Sequence, residues 1–179
     1  PEGVPERDRI APETFDSDEE FPRFKEIASR VGLSTRSLCG GAIADDFNND
    51  GLLDIVTSNW DTKGQLKLLI NTGDGKFVDR TKEAGLTGIF GGLNVNQADY
   101  NNDGHTDIFV MRGAWLGANG RHPNSLLRNN GDGTFTDVTF DAGLAKKNFP
   151  TQTASWADYN NDGRLDLYVG NEIIGYEPA

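Results

Sequence analysis

Three features of the chain predict an all-β fold built from repeated, propeller-like blades. The stretch DFNNDGLLD at 46–54 returns as DYNNDGHTD at 99–107 and DYNNDGRLD at 158–166. A second segment, GDGKFVDRTKEAGL at 73–86, returns as GDGTFTDVTFDAGL at 131–144, and PRFKEIASRVGL at 22–33 is a weaker third copy. Both markers keep one period: the loops lie 53 and 59 residues apart, and Phe24, Phe77 and Phe135 lie 53 and 58 apart. A repeat of this size made of short elements points to propeller blades or a solenoid.

The elements follow in chain order. Residues 1–20 hold eight acidic and two basic residues and three prolines, and read as an acidic extended arm. The repeats occupy 21–179, beginning with a lone outer strand at about 22–33. In the first blade, about 38–86, GGAIA (40–44) leads into the first loop and LDIVTSN (53–59) leaves it. QLKLLIN (65–71) places Leu66, Leu68 and Ile70 on one face, as a half-buried strand does. GDG at 73–75 is a hairpin turn and KFVDRT the returning strand. Four antiparallel strands are the content of one blade. A second blade runs over about 92–144, and a partial blade over about 151–179 has two strands. No segment carries a helical stripe; TKEAGL forms at most one turn. Propellers close with four to eight blades, so the expectation is an incomplete propeller. The strand LDLYVGNEI (165–173) is apolar on both faces through Leu165, Leu167 and Val169 and through Tyr168, and is expected to be interior. Its second neighbour would come from residues beyond this chain or from another protomer.

Composition excludes several classes. The net charge of −11 argues against nucleic acid and anionic membrane as partners. No apolar run reaches the roughly 18 residues of a membrane span, so no membrane insertion is expected. The first residue is Pro1 rather than Met, which fits a removed targeting segment or a chain that simply starts there. A single cysteine, Cys39, allows no internal disulfide and reads as a small core residue.

The nine-residue loops carry the chemistry. A calcium ion takes six to eight oxygen ligands, several of them carboxylates. Positions 1, 3 and 5 of a tight loop aim side chains at one centre, glycine at 6 permits the reversal, and a carbonyl at 7 and Asp at 9 complete the set. The first loop offers Asp46, Asn48, Asp50, the Leu52 carbonyl and Asp54. The second offers Asp99, Asn101, Asp103, the His105 carbonyl and Asp107, and the third Asp158, Asn160, Asp162, the Arg164 carbonyl and Asp166. Leu, His and Arg at position 7 suggest that only the main chain matters there. An EF-hand would need Glu at position 12 between helices; Thr57, Val110 and Val169 stand there, in β-rich runs, and reject it. The competing reading is a metal-free Asx-rich turn. Three carboxylates in each of three loops weigh against it, because their repulsion opposes folding without a cation. Three Ca²⁺ would nearly neutralise the −5 carried by residues 21–179.

The D-x-N-x-D-G-x-x-D pattern, with LLRNNGDGTFTDVT, AGL and ADYNNDGRLDLYVGN, resembles FG-GAP/VCBS repeats, and more closely the cartilage acidic protein-like (ASPIC/UnbV-associated) group. The resemblance covers about 22–179. It implies a calcium-bearing, integrin-α-like β-propeller, secreted or on a cell surface (extracellular or periplasmic space) and used for adhesion to a protein or carbohydrate ligand. The chain departs from the pattern by stopping mid-blade and by lacking an ASPIC/UnbV segment.

An enzyme is not expected. His105 and His122 are the only histidines, one in an aspartate loop and one in a Gly/Asn/Pro-rich loop, and no separate carboxylate pair is visible. Strand direction puts loops 59–64, 82–95, 112–124 and 141–152 at the end opposite the aspartate loops. Trp60, Arg112, Trp115 and Arg121 there are candidate ligand contacts, although packing of Trp60 and Trp115 between blades explains them equally well; Trp156 reads as core. The alternative function is a structural subunit of an extracellular assembly or filament, self-associating through open blade edges completed by neighbouring protomers.

Overall fold

The computed structural model describes residues 25–34, 40–114 and 116–172. The acidic arm, Phe24, Cys39, Trp115 and Ile173 lie outside them. Among the described residues, ten strands form three antiparallel sheets. The first joins β1 (Ala42–Asp45), β2 (Asp54–Thr57), β3 (Lys67–Asn71) and β4 (Phe77–Asp79) in sequential order. The second repeats that order with β5 (Asn94–Ala98), β6 (Asp107–Met111), β7 (Ser125–Asn129) and β8 (Phe135–Asp137). The third pairs β9 (Thr151–Ala157) with β10 (Asp166–Asn171). Short strands joined by tight turns, with almost no helix, make an all-β, incomplete propeller-like array.

The first strand of each sheet is its inner edge. β1 packs beside β5 and β5 beside β9, and the side-chain amides of Asn94 and Asn96 on β5 donate to the Gln152 and Ala154 carbonyls of β9. The backbones approach closely there: a Cβ on Gly41 would lie 2.7 Å from the Val95 nitrogen.

Apolar side chains fill the two gaps between sheets. Val56, Leu66, Leu68, Ile108, Val110 and Leu127 belong to the core between the first and second sheets. Phe109, Met111, Leu126 and Val138, with Trp156, Leu167 and Val169, form the next. Strand β6 is buried throughout because its alternate residues point into different cores. Each fully buried side chain of this kind contributes about 1.5–3 kcal/mol. On β3 the expected one-sided burial fails as well: Leu69 is as buried as Leu68.

Two other expectations need correction. Residues 25–34 hold no strand; one helical turn, α1 (Ala28–Val31), ends at Gly32 in the left-handed conformation (φ 84°). It matches the turns after β4 and β8, which end at Gly85 and Gly143 with φ 74° and 75°. The first two of these turns seat on the next outer strand: the Phe135 N–H donates to the Ala84 carbonyl at 2.9 Å, and a Cβ on Gly32 would lie 2.3 Å from the Phe77 carbonyl oxygen. Strand β10 is also less interior than its composition suggests. Leu167 and Val169 face the second sheet, but Tyr168 is 76% exposed, and among the described residues β10 pairs only with β9.

Candidate functional site

Antiparallel order fixes where the loops lie. The β1–β2, β5–β6 and β9–β10 connections, which are the three aspartate loops, share one end of the sheets with the two GDG hairpins. Their backbones are near copies. Asn49, Asn102 and Asn161 all have φ 58°, and Gly51, Gly104 and Gly163 have φ 83–85°. Left-handed backbone at positions 4 and 6 needs Asn, which tolerates that region, and Gly, which has no Cβ to clash. The two asparagines of each NND run therefore divide the work: the first carries the polar side chain of position 3, the second bends the chain.

The hydrogen bonds repeat as well. The position 1 carboxylates, Asp46, Asp99 and Asp158, accept the backbone N–H of position 5 at 3.0 Å and of the glycine at 2.8 Å. Position 5 carboxylates take the N–H of Leu52, His105 and Arg164 at 2.9–3.0 Å, and also the side-chain amide of Asn48, Asn101 or Asn160. The position 9 carboxylates reach back to the N–H of Phe47, Tyr100 and Tyr159. In the first two loops the remaining position 9 oxygen accepts from the third strand of its own blade, Asn71 N–H to Asp54 at 2.8 Å and Asn129 N–H to Asp107 at 2.7 Å. Asp166 has no such partner among the described residues.

Burial pushes the Asp107 carboxyl up to about 6, against the backbone N–H bonds of Asn129 and Tyr100, and the nearby charges of Asp103 and Asp99 add to the rise. Asp54 is raised for the same reasons, with Asp50 and Asp46 as its like-charged neighbours. The ion pairs among the described residues, Lys67–Asp79, Lys76–Asp74 and Arg80–Glu83, leave these acids without a basic partner. The donor set is all oxygen, which suits a hard cation. Among the described residues, however, no three acidic or histidine side chains converge on a common metal centre, because each carboxylate is turned onto backbone N–H groups.

Sequence reasoning missed how the loops are joined. The Asn49 side chain lies 2.6 Å from His105 Nδ1, and the Asn102 amide donates to the Gly163 carbonyl at 3.0 Å. The buried Asn129 amide bridges the Phe47 and Thr106 carbonyls. His105 thus contributes its ring as well as its main chain, wedged where a Cβ on Gly131 would sit 2.3 Å from Nε2. Position 2 is the other missed signal, visible as Phe, Tyr, Tyr in the aligned loops. Phe47 packs edge-on against Phe135 of the next blade, and Tyr100 stacks on Trp156; Tyr159 is 79% exposed.

The opposite end holds a pocket of about 330 Å³ between the first two blades, whose lining includes Trp60, Phe90, Arg112, His122, Ser125 and Asp137. Of the candidate ligand contacts it unites Trp60 and Arg112. Arg121 is not among its lining residues; its guanidinium sits 5.8 Å from the Phe149 ring centre. Burial lowers the Arg112 pKa and the Asp137 charge opposes that shift.

With this geometry in hand, the comparisons with known proteins are specific. The family model described as FG-GAP-like repeat matches residues 46–110 and 114–169, the first match starting at the first aspartate loop and the two together covering most of the chain. The chain belongs to the FG-GAP-like repeat family. It is similar to cartilage acidic protein 1 of Homo sapiens, 29% identical over 162 residues, and of Mus musculus, 31% identical over 162 residues. Each alignment covers 89% of this chain. The protein of that name from Xenopus tropicalis is 33% identical over 89 residues, half of this chain and 13% of its own length. The chain spans about a quarter of the human and mouse relatives, 23% and 24%.

Proposed function

We propose that this chain is a calcium-binding propeller module of a secreted or cell-surface protein, acting non-catalytically in protein or glycan binding and adhesion. The observation that carries the reading is the threefold repetition of one loop geometry, each copy presenting three carboxylates and an amide oxygen with no ion-pair partner among the described residues. Asp46, Asn48, Asp50 and Asp54 would hold the first ion with the Leu52 carbonyl, and the equivalent residues of loops two and three the others. A bound divalent ion supplies charge neutralisation, and the loops keep the backbone reversal in place for it. The name of the relatives, cartilage acidic protein, fits an extracellular setting, and among the described residues no helix is long and apolar enough to cross a membrane. Affinity is expected in the range of extracellular modules, roughly 10⁻⁴–10⁻³ M. Dialysis against millimolar calcium followed by metal analysis tests this: three ions per chain are expected, and none would overturn it.

A second reading, a subunit of an extracellular assembly completed by neighbouring protomers, draws on one surface. Tyr159 in the β9–β10 loop and Tyr168 on β10 are both exposed and line one pocket with Ser155 and Ala157. Light scattering of the purified chain distinguishes the two: a concentration-dependent rise in mass abolished by Tyr168→Lys favours assembly.

A further inference from the structure

We propose that the pocket opposite the aspartate loops binds a carboxylate carried on an apolar body, with the Arg112 guanidinium contacting the anion and Trp60 and Phe90 forming the walls. Arg112 is held rigidly. Its Nε donates to the Phe90 carbonyl at 2.6 Å, and Nη1 donates to the Pro123 carbonyl at 3.0 Å and the Ser125 hydroxyl at 2.8 Å. Those bonds fix the plane of the fork and leave Nη2 over. Nη2 has no hydrogen-bond partner among the described residues, and it is not one of the side-chain atoms sealed from solvent without one; those are Asn148 Oδ1, Gln152 Oε1 and Trp156 Nε1. Arg112 itself lines the pocket.

The neighbouring anion does not use it. Asp137 forms no ion pair with Arg112; one of its oxygens takes the N–H and hydroxyl of Thr139, and the other faces the Ser125 hydroxyl at 3.4 Å. A partly buried guanidinium with a spare donor favours an incoming carboxylate, which forms short charge-assisted bonds to such a fork. The repeat itself does not demand an arginine here: thirteen residues after each loop begins stand Asn59, Arg112 and Asn171. The walls set the rest of the ligand. Trp60 and Phe90 are 46% and 45% exposed, and Ile89, Leu93 and Leu116 also line the cavity. A volume of about 330 Å³ accommodates one ring or branched side chain with its acid group. The C-terminus of a peptide and a free small acid share that chemistry.

This inference deepens the binding reading, yet its site is independent of the cation loops. Isothermal titration of the full chain in calcium with N-acetyl-L-phenylalanine, its amide and 3-phenylpropionate tests it. The acid is expected to bind with a Kd on the order of 1 mM and the amide at least about tenfold more weakly, the loss expected for a charge-assisted contact. Comparable binding of 3-phenylpropionate assigns a free acid, and preference for the acetylated amino acid assigns a peptide terminus. Trp60→Ala, on an exposed side chain, should weaken the acid severalfold with the melting curve unchanged. Arg112→Asn, which writes in the residue of the sister blades, should abolish the preference for acid over amide; if it does not fold, Trp60→Ala decides. Equal affinity for acid and amide, or a Trp60→Ala variant that binds unchanged, overturns the proposal. Calcium uptake on the same sample separates the failures, since loss of acid binding with three ions still bound removes this inference alone.

Discussion

Asn161 isolates the conformational role of the second asparagine in each loop. It has φ 58° and is exposed, whereas the side chains of its counterparts Asn49 and Asn102 also reach the next loop. Asn161→Gly should therefore melt within a degree or two of the parent, while Asn161→Val should cost about 1–2 kcal/mol, the penalty of forcing a β-branched residue into the left-handed region; thermal unfolding checks both. Asp107 gives a pH dependence. Its folded value of about 6 lies above the ordinary 3.8, so without a cation its contribution to stability is complete below the ordinary value and is lost as the pH rises through the folded one. A cation needs the ionised form. The gain in Tm on adding calcium should accordingly grow between about pH 5 and 7 and level off above; a gain independent of pH would contradict a metal role for Asp107.

At the scale of elements, the turn that closes one repeat is a wedge for the next. Gly32 and Gly75 both have positive φ, but a Cβ on Gly75 meets nothing within 4 Å, whereas one on Gly32 strikes the Phe77 carbonyl. Gly75→Ala should cost about 1 kcal/mol and Gly32→Ala more than about 2 kcal/mol, because the second adds a backbone clash to the same dihedral penalty. Denaturant titration of the two variants measures the difference. The third loop, in turn, is the least supported. Asp54 and Asp107 are each held by an N–H from a third strand, Asn71 or Asn129, and Asp166 has no equivalent among the described residues. The third site should bind calcium most weakly, seen as a last, shallow phase in a calorimetric titration that disappears in Asp162→Ala while the tighter phases stay.

For the whole molecule, the charge balance predicts how chelation acts. A ligand bound only by the folded state stabilises it by RT ln(1 + [L]/Kd), about 1.4 kcal/mol per site at ten times Kd. Removing it also leaves three like-charged clusters without a counter-ion. The Tm should fall in EDTA and be restored by calcium more fully than by magnesium, whose small octahedral shell fits a carboxylate-rich loop less well. Identical melts with and without chelator would contradict the cation reading.

Much of this was legible in the sequence because repetition made it so. Three copies of D-x-N-x-D-G-x-x-D mark the same turn three times, and glycine and asparagine at set positions dictate the backbone reversal through local sterics alone. Strand order followed from the same repeats, and so did the sharing of one end by the aspartate loops. The lone outer strand expected at 22–33 lies partly outside the described residues; in 25–34 the chain holds one helical turn seated on β4, which aligns with the turns that follow β4 and β8 rather than with those strands. Only tertiary structure decided which faces are buried, since β6 lies between two cores and loses the alternation a two-layer sheet would show, and on β3 Leu69 is buried beside Leu68. It alone joined Asn49 to His105 across 56 residues, and brought Trp60, Phe90 and Arg112 around one cavity while leaving Arg121 on Phe149. Local sterics are written in neighbouring residues and can be read one loop at a time. Packing between blades depends on which surfaces meet, and that is set only when the sheets stack.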